Sequence, residues 1–240
     1  MLDYEDLLEL VKKRRSIRNF KPDRVTDEVI NKILEVARWA PSGANHQPWE
    51  FIVIKDRAIK DRVVAIVQDS MRGVKKMELT REKDLQHPGP LRPVEEAHFK
   101  DAPVFIIVVG DPRTRQAQVL EALQSPKSYI SSLANAFLYM HLAATALGLG
   151  SQWVSTSSQP LPQALIKQEL GIPEGYDMYD LFVLGYPDHT PGPRIVRELG
   201  EIVHQNHYEI SKYRSDAEVK ELAIKILQGY PMVSARDKLT

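Results

Sequence analysis

The chain has no cysteine among its 240 residues. That absence excludes a disulfide framework, a thiolate nucleophile, an iron-sulfur cluster and a cysteinyl link to a flavin. Net charge is missing as well, since 32 Lys plus Arg balance 32 Asp plus Glu. No global field draws such a molecule onto nucleic acid or an anionic bilayer, so any anion site has to be local. The longest apolar run falls far short of the roughly 20 residues that a membrane span requires. Met1-Leu2-Asp3-Tyr4-Glu5-Asp6 carries acids where a signal peptide needs a basic region, which makes the cytoplasm the expected location.

What is present describes an ordinary globular protein, with 43% apolar and 27% charged residues. A chain of this size buries about 70% of its unfolded surface as one large domain, and residues 1–240 are expected to form one. Leu7, Leu8, Leu10 and Val11 lie on one face of a short helix that ends in Lys12-Lys13-Arg14-Arg15. Thr26 is a candidate N-cap for a second helix, with Val29, Ile30, Ile33, Leu34, Ala37 and Ala40 at helical spacing up to Pro41. Phe51-Ile52-Val53-Ile54 and Val104-Phe105-Ile106-Ile107-Val108-Val109 read as strands, the second buried on both faces. Between them, residues 69–100 are rich in charge, Gly and Pro without a sustained apolar period, and read as a long excursion that covers an active site. Ser128 to Leu147 reads as a long helix apolar on more than one side, buried or facing a second subunit, and Gly148 ends it. Trp153-Val154 and Leu181 to Pro187 give two more strands around a weaker helix from Pro162 to Leu170. After Pro193 come an extended arm and a final helix, roughly Asp216 to Leu227.

Two segments carry chemistry. Arg14-Arg15-Ser16-Ile17-Arg18 gathers three guanidinium groups and a hydroxyl within five positions, a density suited to bidentate capture of a phosphate. Considered alone, it reads first as a solvated basic helix end, since charge runs are usually surface features, and the downstream loop is what reverses that reading. Ala40-Pro41-Ser42-Gly43-Ala44-Asn45-His46-Gln47-Pro48-Trp49 then runs from a helix into a strand, and so many small and turn-forming residues let the backbone approach a flat ligand closely. A phosphate anchor followed by a slot for a ring system suggests a nucleotide-like cofactor.

In this order the two segments resemble the FMN-dependent nitroreductase family, in which an Arg-rich phosphate loop, a helix and a Pro-Ser-x-x-Asn-x-Gln-Pro-Trp loop lead into the first core strand. The Pro-Ser-Gly-Ala form is also similar to the iodotyrosine deiodinase branch of that superfamily. The resemblance implies an α+β fold with a mixed, mainly antiparallel sheet of four or five strands flanked by helices. It also implies a homodimer that exchanges C-terminal arms and carries two FMN sites at the subunit interface. FMN would be held non-covalently, NADH or NADPH would donate hydride to flavin N5, and an electron-poor nitroaromatic or quinone would accept it in a ping-pong cycle.

Residue by residue, the resemblance implies that Arg14 and Ser16 bind the FMN phosphate, that Arg18 reaches the flavin N1/O2 edge, and that Arg15 is a further candidate. Pro41, Ser42, Gly43 and Asn45 would contact the ribityl chain and ring, with Gln47 and Trp49 buttressing the loop and the Ala44 backbone facing substrate. Gly148-Leu149-Gly150-Ser151-Gln152-Trp153-Val154-Ser155-Thr156 matches the family's helix-to-strand junction, which puts Val154, Ser155 and Thr156 near N5 and O4. Gly-x-Gly after a helix is the wrong context for a dinucleotide fingerprint. A hydroxyl at N5 departs from the common nitroreductase pattern and leaves hydride and one-electron transfer both open. Arg197, or else Arg194, would supply a second phosphate ligand. No protein side chain is assigned as a nucleophile, because the cofactor carries the chemistry. His204 and His207 stand three apart without a carboxylate at ligand spacing and are read as structural or surface residues, so no metal is expected. The rival functions are reductive dehalogenation of an aromatic substrate and flavin storage without turnover.

Overall fold

The computed structural model describes residues 3–86, 97–117, 126–192 and 194–228. Two units divide the chain, residues 1–71 with 95–191 and residues 72–94 with 192–240. The first contains the sheet. Its strands are β1 (Trp49–Ile54), β2 (Val104–Gly110), β3 (Gly150–Val154) and β4 (Asp177–Gly185), in the order β1-β2-β4-β3. All three pairings are antiparallel, with Trp49 opposite Gly110, Val104 opposite Leu184 and Gly150 opposite Gly185. Among the described residues, the expected mixed character is seen as an isolated parallel bridge from Ser16 to Ser151 of β3.

Helices cover both faces, and the strand sequences explain why. Every residue of β2 is buried, as its unbroken β-branched run requires of a central strand. Val104, Ile106 and Val108 point to one face, where α2 (Asp27–Ala37) lies on α4 (Pro126–Ala146) together with Phe182 and Leu184. Phe105, Ile107 and Val109 point to the other, into a cluster with Leu181, Val183, Val63 and Val67 of α3 (Arg57–Glu78) and Ile166 of α5 (Pro160–Leu170). Alternation along one strand therefore serves two cores.

Local signals set the helix ends. The Asp3 carboxylate caps α1 (Tyr4–Lys13) by accepting the Asp6 N–H at 2.8 Å. Thr26 caps α2 through the Val29 N–H at 3.4 Å. Gly148 closes the α4 turn with φ +74°, a left-handed conformation that side chains with a Cβ avoid.

One reading is corrected. Residues 69–78, taken as the start of an irregular excursion, are the last part of α3, and Lys83–Leu85 forms a 3-10 turn. Residues 87–96 of that segment lie outside the described residues. In the second unit, α6 (Leu199–Ile202) and a 3-10 turn at Ile210–Lys212 precede α7 (Asp216–Gln228). Lys220 of α7 pairs with Glu82 and Asp84 at 2.6 and 2.8 Å.

Candidate functional site

The arginine-rich segment begins where α1 stops. The Arg14 N–H donates to the Leu10 carbonyl at 3.1 Å, and the chain then extends beside β3. The Ile17 N–H donates to the Ser151 carbonyl at 2.9 Å, and Lys21 N–H to the Tyr186 carbonyl at 2.9 Å. Ile17 and Phe20 are buried, while Arg14, Arg15, Ser16 and Arg18 are half-buried. Because neighbouring side chains of an extended segment point oppositely, sinking Ile17 turns Ser16 and Arg18 outward. The anchor is close-fitting: a Cβ on Gly150 would stand 2.6 to 2.9 Å from three Ile17 atoms. The two glycines of Gly148-Leu149-Gly150 thus have separate reasons, a left-handed turn and a close approach.

Beneath this segment lies His141 of α4, which sequence reading passed over among the seven histidines. It is buried, its Nδ1 is 2.8 Å from Ser151 Oγ, and Phe137 and Phe182 flank its ring at 5.2 and 4.7 Å. Burial first, and the Arg14 charge second, push its pKa down to about 3, so the ring is neutral. A signal existed, since His141 is one helical turn beyond Phe137 in a buried row.

At the far end of β3, Val154 is buried and leads into a 3-10 turn at Ser155–Ser158, with Ser155 exposed and Thr156 half-buried. Asp180 holds this turn from β4. Its carboxylate accepts from Trp153 Nε1 at 2.5 Å and from Ser157 Oγ at 2.9 Å, and Ser157 Oγ accepts the Leu181 N–H at 3.0 Å. Burial raises the Asp180 pKa against the opposing effect of those bonds. A carboxylate inside a strand, directly before the apolar run from Leu181, was the available signal for it.

The Pro41–Trp49 segment rests on the first half of α4. The Gly43 N–H donates to Ser132 Oγ at 3.1 Å, Ser132 Oγ donates to the Ser128 carbonyl at 2.8 Å, and Asn135 Nδ2 donates to the Pro41 carbonyl at 2.9 Å. Ser42 Oγ accepts the Gln47 N–H at 3.0 Å. Ala44, Asn45 and Gln47 all have positive φ, 47°, 57° and 46°. Three non-glycine residues in that region, each costing about 1–3 kcal/mol, need such external supports. The Ala44 and Asn45 positions are exposed, Trp49 is buried as the first residue of β1, and a cleft of about 160 Å³ opens between Pro41, Ser42, Gly43 and Ser131, Ser132 and Asn135.

The structure therefore groups the predicted residues. Arg14–Arg18 and Val154–Thr156 share the β3 edge, and the three residue steps from Ser151 to Val154 span about 10 Å of strand. Pro41–Asn45 precedes β1, the opposite edge, three strand spacings or about 14 Å across the sheet. One chain does not bring these two groups together through its sheet. Arg194 and Arg197 lie in the second unit, where Arg194 is exposed and Arg197 donates to Glu201 Oε2 and to the Glu201 carbonyl at 3.3 and 3.0 Å. Also there, His204 stacks on Tyr208 at 4.3 Å and its Nδ1 accepts the Glu209 N–H.

A guanidinium and hydroxyl cluster on a pinned, half-buried edge has the donor chemistry of a phosphate site. Comparisons with known proteins agree with that chemistry. The profile described as Nitroreductase family matches residues 11–186. A Methanothermobacter thermautotrophicus protein, provisionally named NADH dehydrogenase/NAD(P)H nitroreductase, is 32% identical over 191 residues, covering 79% of this chain and 81% of its own. Oxidised iodotyrosine deiodinase bound to FMN and 3-iodo-L-tyrosine matches with a TM-score of 0.65 and 26% identity over 84% of this chain and 100% of its own. An FMN-dependent nitroreductase from Clostridium difficile gives a TM-score of 0.61 and 25% identity over 84% and 99%. The chain belongs to the nitroreductase family.

Proposed function

We propose that the protein is an FMN-dependent oxidoreductase, active as a homodimer, that uses NADH or NADPH to reduce an electron-poor aromatic such as a nitroarene or quinone. The observation that carries this reading is the β3 edge, with guanidinium and hydroxyl side chains beside Ser151 at one end and the small hydroxyl residues Ser155 and Thr156 just past Val154 at the other, about 10 Å of strand between them. Arg14 and Ser16 hold the phosphate, joined by Arg197 or Arg194 from the C-terminal arm, and Arg15 stands beside them. Arg18 faces the N1/O2 edge, and Val154, Ser155 and Thr156 line the ring near N5 and O4. Bound FMN supplies the hydride-transfer chemistry. The protein residues supply position, a cation at the ring's electron-rich edge and a sheltered face.

Because Pro41, Ser42, Gly43, Ala44 and Asn45 lie at the opposite sheet edge, they serve the flavin bound to a second copy, and the site is complete only in the dimer. The test is direct. Purified protein should be yellow and release FMN on denaturation, and the Arg14→Ala, Arg197→Ala double variant should lose it, each charge-assisted contact contributing about 1.5–3 kcal/mol. Colourless protein that stays colourless after soaking in excess FMN would sink the proposal.

A second reading is reductive dehalogenation, favoured by the Ser155 hydroxyl, exposed at the end of β3, and by the structural likeness to iodotyrosine deiodinase. Anaerobic assays of the reduced protein with a halogenated phenol and with a nitroarene separate the two.

A further inference from the structure

We infer that His141 is a positioning residue for the phosphate-binding segment, acting through Ser151 to fix where Arg14, Ser16 and Arg18 stand. This rests on the FMN reading above and deepens it, because it concerns how the anchor is held.

The arginine-rich segment is held on the fold by buried Ile17 and Phe20 and by backbone bonds from Ile17 and Lys21. It leaves α1 at Arg14, and its backbone tie to β3 in this stretch is the Ile17 N–H to the Ser151 carbonyl. Ser151 is thus the residue that registers the segment, and Ser151 is itself 1% exposed on an edge strand. On its sheet side the pairing with Leu184 of β4 fixes its backbone. Its side chain is fixed from α4, by the 2.8 Å contact with His141 Nδ1. The imidazole is in turn wedged between Phe137 and Phe182, so it cannot swing away without opening the core. A continuous path therefore runs from the packed helix α4, through His141 and the Ser151 hydroxyl, to the Ser151 carbonyl and Ile17. The backbone from which Ser16 and Arg18 project is held at Ile17 by that path.

The chemistry of the imidazole suits this role. A hydrophobic residue of similar size would fill the space but leave the buried Ser151 hydroxyl without its partner, which loosens the strand where the segment is attached. A cationic residue would repel Arg14. The neutral ring keeps the hydrogen bond without adding a like charge below the guanidinium cluster, as the low pKa caused by burial and by Arg14 indicates.

The experiment compares flavins with and without phosphate on the same full-length protein. Bound flavin is removed, and the affinities for FMN and for riboflavin are measured by fluorescence quenching for the wild type, His141→Phe, His141→Asn and Ser151→Ala. Positioning of the phosphate anchor predicts that His141→Phe and Ser151→Ala weaken FMN about five- to tenfold while riboflavin changes less than about twofold, the scale of one lost hydrogen bond. His141→Asn, which restores a short polar group, should recover most of the FMN preference. Equal weakening of both flavins, or an unchanged ratio in folded variants, would overturn the inference and leave His141 a core residue only. Should His141→Phe fail to fold, the milder Ser151→Ala decides. A wild type with no preference for FMN over riboflavin would instead remove the phosphate assignment itself, and this inference with it.

Discussion

A neutral imidazole buried below arginine side chains has a thermodynamic consequence. Unfolded, His141 titrates near 6.5, whereas in the fold it binds a proton only near pH 3. Between those values the unfolded chain takes up a proton that the folded chain refuses, so the stability His141 contributes is full above 6.5 and is lost as pH falls toward 3. The limiting slope is about 1.4 kcal/mol per pH unit. Urea unfolding at pH 6 and pH 4 should therefore show the wild type losing about 2 kcal/mol more than His141→Asn over that interval. Equal losses would mean that the ring is not held neutral. Gly150 gives the second residue-scale prediction. Its absent Cβ makes room for three Ile17 atoms, two of them attached directly to the β-carbon that is the third. Gly150→Ala cannot be relieved by turning a distant side-chain tip, so it should cost about 1–3 kcal/mol and weaken FMN retention as well. Unchanged melting temperature and flavin content would contradict the close approach.

Elements are joined here by a few buried polar ties. Lys60 of α3 is 5% exposed, yet its Nζ donates to the Ala102 and Pro103 carbonyls at 2.9 and 3.1 Å and lies 5.6 Å over the Phe105 ring. It fastens α3 to the entry of the central strand, and burial lowers its pKa. Lys60→Met keeps the apolar stem and should still destabilise the protein by about 2 kcal/mol, because two carbonyls lose a donor. A change below about 0.5 kcal/mol in chemical denaturation would show that solvent replaces the amine. The same helix shows why the excursion reading failed at residues 69–78. Ile59, Val63 and Val67 give the buried stretch its period, and Met71 is the last α3 residue in that cluster. Once nucleated, a helix adds one hydrogen bond per residue with no need of apolar spacing. Helix α4 was the converse case: its apolar pattern was plain, while its polar residues Ser132, Asn135 and His141 turned out to support both predicted binding segments.

At the scale of the molecule, a single chain leaves apolar surface where the proposed partner would sit. Ile130 and Leu138, two i+4 steps apart on α4, are 53% and 48% exposed, and Trp39 after α2 is 70% exposed. If these faces meet in a dimer, Ile130→Glu with Leu138→Glu should give a monomer by sedimentation that also loses FMN, since the proposed site takes Pro41 to Asn45 from the other copy. A stable dimer with flavin intact would refute that arrangement.

The sequence by itself determined the Thr26 cap, the glycine end of α4, the buried central strand and the family, because turn chemistry, periodicity and motif residues are local properties written over a few positions. Tertiary structure alone decided which of those segments share an edge. The 41–45 loop and the 154–156 turn lie at opposite sides of the sheet because strand order is set by long-range pairing, about which neither segment carries information. It also decided the supporting residues His141, Ser151 and Asp180, whose roles depend on partners 10 to 27 positions away that only packing brings within hydrogen-bond reach.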